Sequence, residues 1–79
     1  MIILDSAYKH GISIKDIEFV YNNAINSIIL EEFQPKIMIF GFDSIGRALE
    51  IGYIENDRGE CIITHAMRLR KIYHKFLNV

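Results

Sequence analysis

DSIGRALEIGYIENDRGECIITHA (residues 43–66) is the stretch that decides the fold. Its first four residues read as a turn, with Gly46 free to take a positive φ. After the turn the side chains alternate. Leu49, Ile51 and Tyr53 fall on one side, Ala48, Glu50 and Gly52 on the other. Successive side chains of a strand point to opposite faces, so this spacing predicts a strand with one apolar face. ENDRGE (55–60) is a second turn, and CIITHA (61–66) is the next strand. A link this short joins antiparallel neighbours, because a parallel pair needs a longer crossover.

Upstream, SIILEE (27–32) and IMIFGFD (37–43) are short and rich in β-branched or aromatic residues, which predicts two further strands. Before them, Ser13 can cap a helix, with Asp16 completing a capping-box pattern. Ile14, Ile17, Val20, Tyr21 and Ala24 then form one apolar helical face, and Asn22 and Asn23 suit its end. SAYKHGIS (6–13) reads as a short helical turn stopped by Gly11, counted as the first of two N-terminal helices. Downstream, Leu69, Ile72, Tyr73, Phe76 and Leu77 recur at amphipathic spacing. The prediction is an α+β fold: two N-terminal helices, a four-stranded antiparallel meander sheet and a C-terminal basic amphipathic helix, in a single domain over 1–79.

A chain of 79 residues leaves room for one thin core, since a domain this size buries only about 60% of the surface its unfolded form exposes. One cysteine, Cys61, allows no intrachain disulfide and points to a reducing, cytoplasmic setting. The N-terminal residues turn polar too soon for a secretory signal, and no apolar run reaches membrane-spanning length. Scattered histidines and the single cysteine offer no zinc-ligand spacing, and there is no glycine-rich phosphate loop, so no cofactor is expected.

Charge is unevenly placed. Residues 1–66 hold all ten acidic groups against five basic ones, whereas residues 67–79 hold Arg68, Arg70, Lys71 and Lys75 and no acid. On a helical wheel Arg68, Lys71 and Lys75 lie opposite the apolar stripe, and Arg70 and His74 lie beside its Tyr73 edge. Such a cationic face attracts phosphates; its plain alternative is a solvated helix end whose cations suit the helix dipole. His65, at the end of the last strand, could move a proton during phosphodiester cleavage. Its alternation with Cys61 and Ile63 equally fits a hydrogen-bonded core histidine. Arg47 reads as an edge charge, Tyr73 as a core ring with its hydroxyl at the rim, and Lys9 and His10 as cations near a helix end. Cys61 reads as a small buried apolar residue.

Three motifs occur in order: KHGIS, GFDSIGRALEIGY and IITHAMRLRKIY. Together they resemble the BrnT-like toxins of bacterial type II toxin–antitoxin modules, in the RelE/ParE superfamily, over nearly everything from Ala7 to Leu77. The resemblance implies a compact ribonuclease that cleaves mRNA and slows translation. It also implies an antitoxin encoded by an adjacent gene, and operator DNA bound only through the antitoxin complex. The family's glycine and arginine after the central turn correspond to Gly46 and Arg47, and its closing segment supplies His65, Arg70 and Tyr73. Many members carry Ser-Ala-Arg after the last strand, where this chain has His65-Ala66-Met67.

The first functional reading is a metal-independent endoribonuclease. Arg47 and Arg70 would hold the scissile phosphate, His65 would act as general acid or base, and Arg68, Lys71, Tyr73, His74 and Lys75 would contact RNA. The alternatives are a non-catalytic module that binds an acidic partner protein or a target such as DNA gyrase, and an inactive relic of the toxin fold. The nuclease reading requires the cationic tips of residues 68–75 to be free of internal carboxylates.

Overall fold

The computed structural model describes residues 1–31 and 33–79; Glu32, which closes the SIILEE segment, lies outside the described residues. The strands are β1 (Ile2–Ile3), β2 (Asn26–Glu31), β3 (Lys36–Phe42), β4 (Ala48–Glu55) and β5 (Cys61–Arg68), with one α-helix, α1 (Ile14–Asn22). They form a single sheet in the order β1-β5-β4-β3-β2. β2 to β5 make the predicted antiparallel meander. β1 adds a fifth strand, parallel to β5, which makes the sheet mixed. Two residues carry no periodicity, so this strand had no signature in the sequence.

Both predicted terminal helices differ from expectation. Asp5–Tyr8 is a single 3₁₀ turn, confined between β1 and Gly11, whose φ of 78° turns the chain back. Lys71–Phe76 is also a 3₁₀-helix, with no side-chain cap at its start. Side chains three apart eclipse in such a helix, and this puts Tyr73 and Phe76 together over Phe40. Phe76 stacks on Phe40 at 4.9 Å between ring centres, and Tyr73 lies tilted at 5.2 Å. Each such ring pair contributes about 0.5–1.5 kcal/mol beyond its area burial. Ile72 takes the other side of the turn and is 66% exposed. The α-helical stripe Leu69-Ile72-Tyr73-Phe76-Leu77 is therefore broken at its second member.

The sheet is covered on both faces. On one, Ile17 and Val20 of α1 and Ala7 of the N-terminal turn pack against Ile39, Leu49, Ile51 and Ile63. On the other, Met38, Phe40 and Leu77 form a smaller core, joined by Phe42, Tyr73 and Phe76. This double cover explains why β3 is a continuous apolar run rather than an alternating one. α1 begins as predicted, with the Ser13 hydroxyl accepting from the Asp16 amide at 3.2 Å.

The turn between β3 and β4 is held by Asp43. Its Oδ1 accepts from the amides of Ile45 and Arg47 at 3.1 and 2.8 Å, and its Oδ2 accepts from Arg47 Nε at 2.6 Å. Burial alone would push the Asp43 carboxyl up, but these donors hold it below its usual range. Gly46, at φ 87°, supplies the backbone shape this turn requires.

Ile72→Glu separates the two helix types. On the 3₁₀ geometry its stability in urea stays within about 0.5 kcal/mol of the parent chain, as for ordinary surface changes. A buried position on an α-helical stripe would instead lose several kcal/mol.

Candidate functional site

A buried carboxylate lies at the centre of the second face. Glu50 is fully buried in the middle of β4, opposite Phe40 on β3 and Met67 on β5. Every lone pair it offers is engaged. Its Oε1 accepts from the Arg70 amide at 2.9 Å and from Arg70 Nε at 3.0 Å. Its Oε2 takes Arg70 Nη2 at 2.7 Å and His65 Nε2 at 2.9 Å. Burial pushes this carboxyl up, but the Arg70 and His65 bonds outweigh it and hold Glu50 below the usual carboxylate range. Glu50 is ionised at neutral pH and can only accept, which assigns the Nε2 hydrogen to His65 and leaves its Nδ1 as the basic atom.

A β-bulge puts His65 there. Gly52 pairs with His65 and Tyr53 pairs with Ile63, so Thr64 has no opposite residue. The extra residue turns His65 onto the face opposite Ile63. The predicted grouping of His65 with Ile63 and Cys61 fails at this single position. Gly52 makes the necessary room: a Cβ there would lie 3.1 Å from His65 Cβ and 3.6 Å from Lys36 Cε. The His65 side chain keeps 20% of its exposure. Burial lowers its pKa first; Glu50 opposes this, and Arg70 and Lys36 reinforce it, with a net value below the ordinary one. His65 is thus neutral near pH 7.

Around it stand groups that the sequence analysis did not connect. The rings of His10 and His65 meet edge to face at 6.0 Å, and the Lys36 stem runs past Gly52. The Arg70 side chain spends Nε and Nη2 on Glu50 but remains 45% exposed, with its guanidinium 5.3 Å from the Tyr73 ring centre. Glu50 was readable only as a polar residue on the small face of an alternating strand. The strand itself carried no signal of its burial, because a carboxylate alternating with Leu49 and Ile51 fits a solvent-facing position as well as a buried one.

The other predicted residues are dispersed. Arg47 bridges Asp43 and Asp16, the latter at 3.0 Å, and so ties the β3–β4 turn to the start of α1. It serves the opposite side of the sheet and does not meet His65 or Arg70. Arg68 closes β5 opposite Leu49, on the α1 face, rather than sharing a helix face with Lys71 and Lys75. Lys71, His74 and Lys75 belong to the 3₁₀-helix, where Lys75 Nζ lies 5.3 Å from the Phe76 ring centre. Among the described residues, Arg68, Lys71 and Lys75 have no carboxylate partner, whereas Arg47 and Arg70 do, so the expectation that the cationic tips of residues 68–75 stay free of internal carboxylates fails at Arg70 and holds at the other three.

The clamp makes the fold acid-sensitive in two steps. The lowered His65 pKa means that the folded chain resists a proton the unfolded chain accepts, so stability declines as pH falls below the ordinary histidine value of about 6.5. The contribution of Glu50 is present above the ordinary carboxylate value and is lost as pH falls through its lowered one. Urea titrations between neutral and acidic pH should show both losses, and His65→Gln should remove the first while keeping the second. A stability that rises on acidification from pH 7 to 5.5 contradicts the His65 assignment.

No protein-family model matches this chain, and neither a curated protein nor a solved structure does.

Proposed function

We propose that the chain is a metal-independent endoribonuclease, the toxin component of a type II toxin–antitoxin module of the BrnT-like kind, acting on mRNA in the cytoplasm. The observation that carries this reading is the neutral His65, oriented by buried Glu50 and open to solvent beside Arg70 and Lys36. RNA cleavage without a metal needs a base for the 2′-hydroxyl and cations to offset charge growing on the phosphate. His65 Nδ1 supplies the base. The exposed edge of Arg70 and the Lys36 ammonium supply the charge. Glu50 is a positioning residue, because it fixes the imidazole tautomer without meeting substrate. Lys71, His74 and Lys75 extend the cationic surface along which an RNA backbone would run. Arg47 takes a structural role in this scheme, and Tyr73 anchors the C-terminal turn. An antitoxin from an adjacent gene would neutralise the enzyme, and operator DNA would be bound only through that complex.

A second reading, a non-catalytic binding module, draws on a different observation. β2 is an edge strand; Ile29 and Leu30 within it are 65% and 43% exposed, and Ile25 just before it is 63% exposed. Such an edge can accept a strand from a partner.

Induced expression without an antitoxin gene discriminates between the two. The nuclease reading predicts growth arrest with cleaved transcripts, and loss of both in His65→Ala while antitoxin binding persists. Arrest that survives His65→Ala with intact transcripts favours the module. For the cationic surface, a Lys71→Ala, Lys75→Ala double variant should flatten the salt dependence of single-stranded RNA binding by about 1.4 in log–log slope, the loss of two phosphate contacts. An unchanged slope removes these lysines from the RNA path.

A further inference from the structure

On the ribonuclease reading of this site, we propose that His10 is its second proton-transfer group, giving a two-histidine centre in which His65 takes a proton and His10 gives one. The juxtaposition is built by the fold. β1 ends at Ile3, and beyond it the N-terminal 3₁₀ turn occupies the open flank of β5. The Leu4 amide still donates to the Ile63 carbonyl at 3.0 Å, and the Ser6 hydroxyl donates to the carbonyl of Thr64, the bulged residue, at 3.0 Å. Ala7 is wholly buried beneath the turn. The Gly11 amide closes onto the Tyr8 carbonyl at 3.0 Å, and the positive φ of Gly11 brings the chain back toward α1. His10, on this anchored bend, is thereby held over the same flank from which the bulge turns His65. Their rings meet at 6.0 Å.

The spacing suits one phosphodiester. In an in-line displacement the attacking and leaving oxygens lie on opposite sides of phosphorus, and each proton-transfer group must come within about 3 Å of its oxygen. Two imidazoles with ring centres 6.0 Å apart are near enough for each to serve one oxygen of the same phosphodiester. Glu50 commits His65 Nε2–H, so Nδ1 is the atom left to act as base. His10 is exposed, without such a tie among the described residues. Arg70 and Lys36 stand on the His65 side and favour its neutral form. The roles are therefore unequal: His65 is the base and His10 the acid.

The step balances. The 2′-oxygen bonds to phosphorus and gives its proton to His65 Nδ1. The bond from phosphorus to the 5′-oxygen breaks, and that oxygen takes a proton from the His10 imidazolium. The products are a 2′,3′-cyclic phosphate and a free 5′-hydroxyl, and solvent restores both histidines. The substrate class is a flexible single-stranded RNA, because a 2′-hydroxyl in line with its own 5′-leaving group is not available in a rigid A-form duplex.

A leaving-group substitution tests the assignment. The full chain, His10→Ala and His65→Ala are each given a short single-stranded RNA and the same RNA with a 5′-bridging sulfur at the scissile position. A thiolate leaves without a proton. His10→Ala should lose about 10²–10⁴-fold on the ordinary RNA and recover the rate of the parent chain on the sulfur-bridged one. His65→Ala should stay slow on both. A His10→Ala rate equal to the parent on ordinary RNA, or a loss that sulfur does not restore, overturns the role of His10 while leaving the ribonuclease reading standing. A parent chain that cleaves neither RNA overturns both.

Discussion

A buried carboxylate in the middle of a sheet is the constraint to which the rest of this structure answers. Glu50 lies fully buried between Leu49 and Ile51, where an uncompensated charge would cost several kcal/mol. The chain compensates it with donors from two directions. His65 comes from the neighbouring strand, and Arg70 arrives at the start of the C-terminal turn with both its backbone amide and its guanidinium. The second contact does structural work, because it fixes where β5 ends and where the terminal 3₁₀-helix begins. Tyr73 and Phe76 then follow onto Phe40 as a consequence of that starting point.

The same clamp shapes chemistry. An ionised acceptor at Nε2 sets the histidine tautomer, and the Arg70 and Lys36 charges discourage the imidazolium. The result is an oriented, neutral, partly exposed imidazole bordered by cations. A second carboxylate, Asp43, plays the analogous structural part on the other side of the sheet, where it absorbs Arg47 and shapes the β3–β4 turn. Both arginines expected to hold the scissile phosphate, Arg47 and Arg70, are thus committed to internal carboxylates. The cationic face is narrower than the composition of residues 67–79 implies, and it is centred on Lys71, His74 and Lys75.

The sequence carried much of this fold in residues whose spacing has one meaning. Ser13 and Asp16 mark the start of α1, Gly11 and Gly46 mark bends with positive φ, and the alternation of Leu49, Ile51 and Tyr53 places β4. Where two geometries share a spacing, legibility fails. Tyr73 and Phe76 fit a period of 3.0 as well as 3.6, and only Ile72 distinguishes them, through its exposure. A β-bulge has no composition of its own, so the inversion of His65 at Thr64 was invisible. The site was half legible: His65 and Arg70 stood out as chemistry-bearing residues near the end of the chain. Glu50, Lys36 and His10 did not, because their association depends on strand register and on a turn crossing the flank of β5. Arg68 shows the reverse error, since a helical wheel groups it with lysines from which a strand end separates it.

The protonation state of one imidazole, His65, is the hinge between the buried clamp and the chemistry of the site. Long-range proton–nitrogen correlation spectra of the isotopically labelled chain, recorded across pH, read it directly. The prediction is a His65 ring with hydrogen on Nε2 and none on Nδ1 at pH 7, titrating below the ordinary histidine value, and a Glu50→Gln variant in which that tautomer preference is lost. A His65 that is doubly protonated at pH 7, or that carries its hydrogen on Nδ1, would contradict the Glu50 clamp as the origin of both the fold of the C-terminal segment and the chemistry of the site.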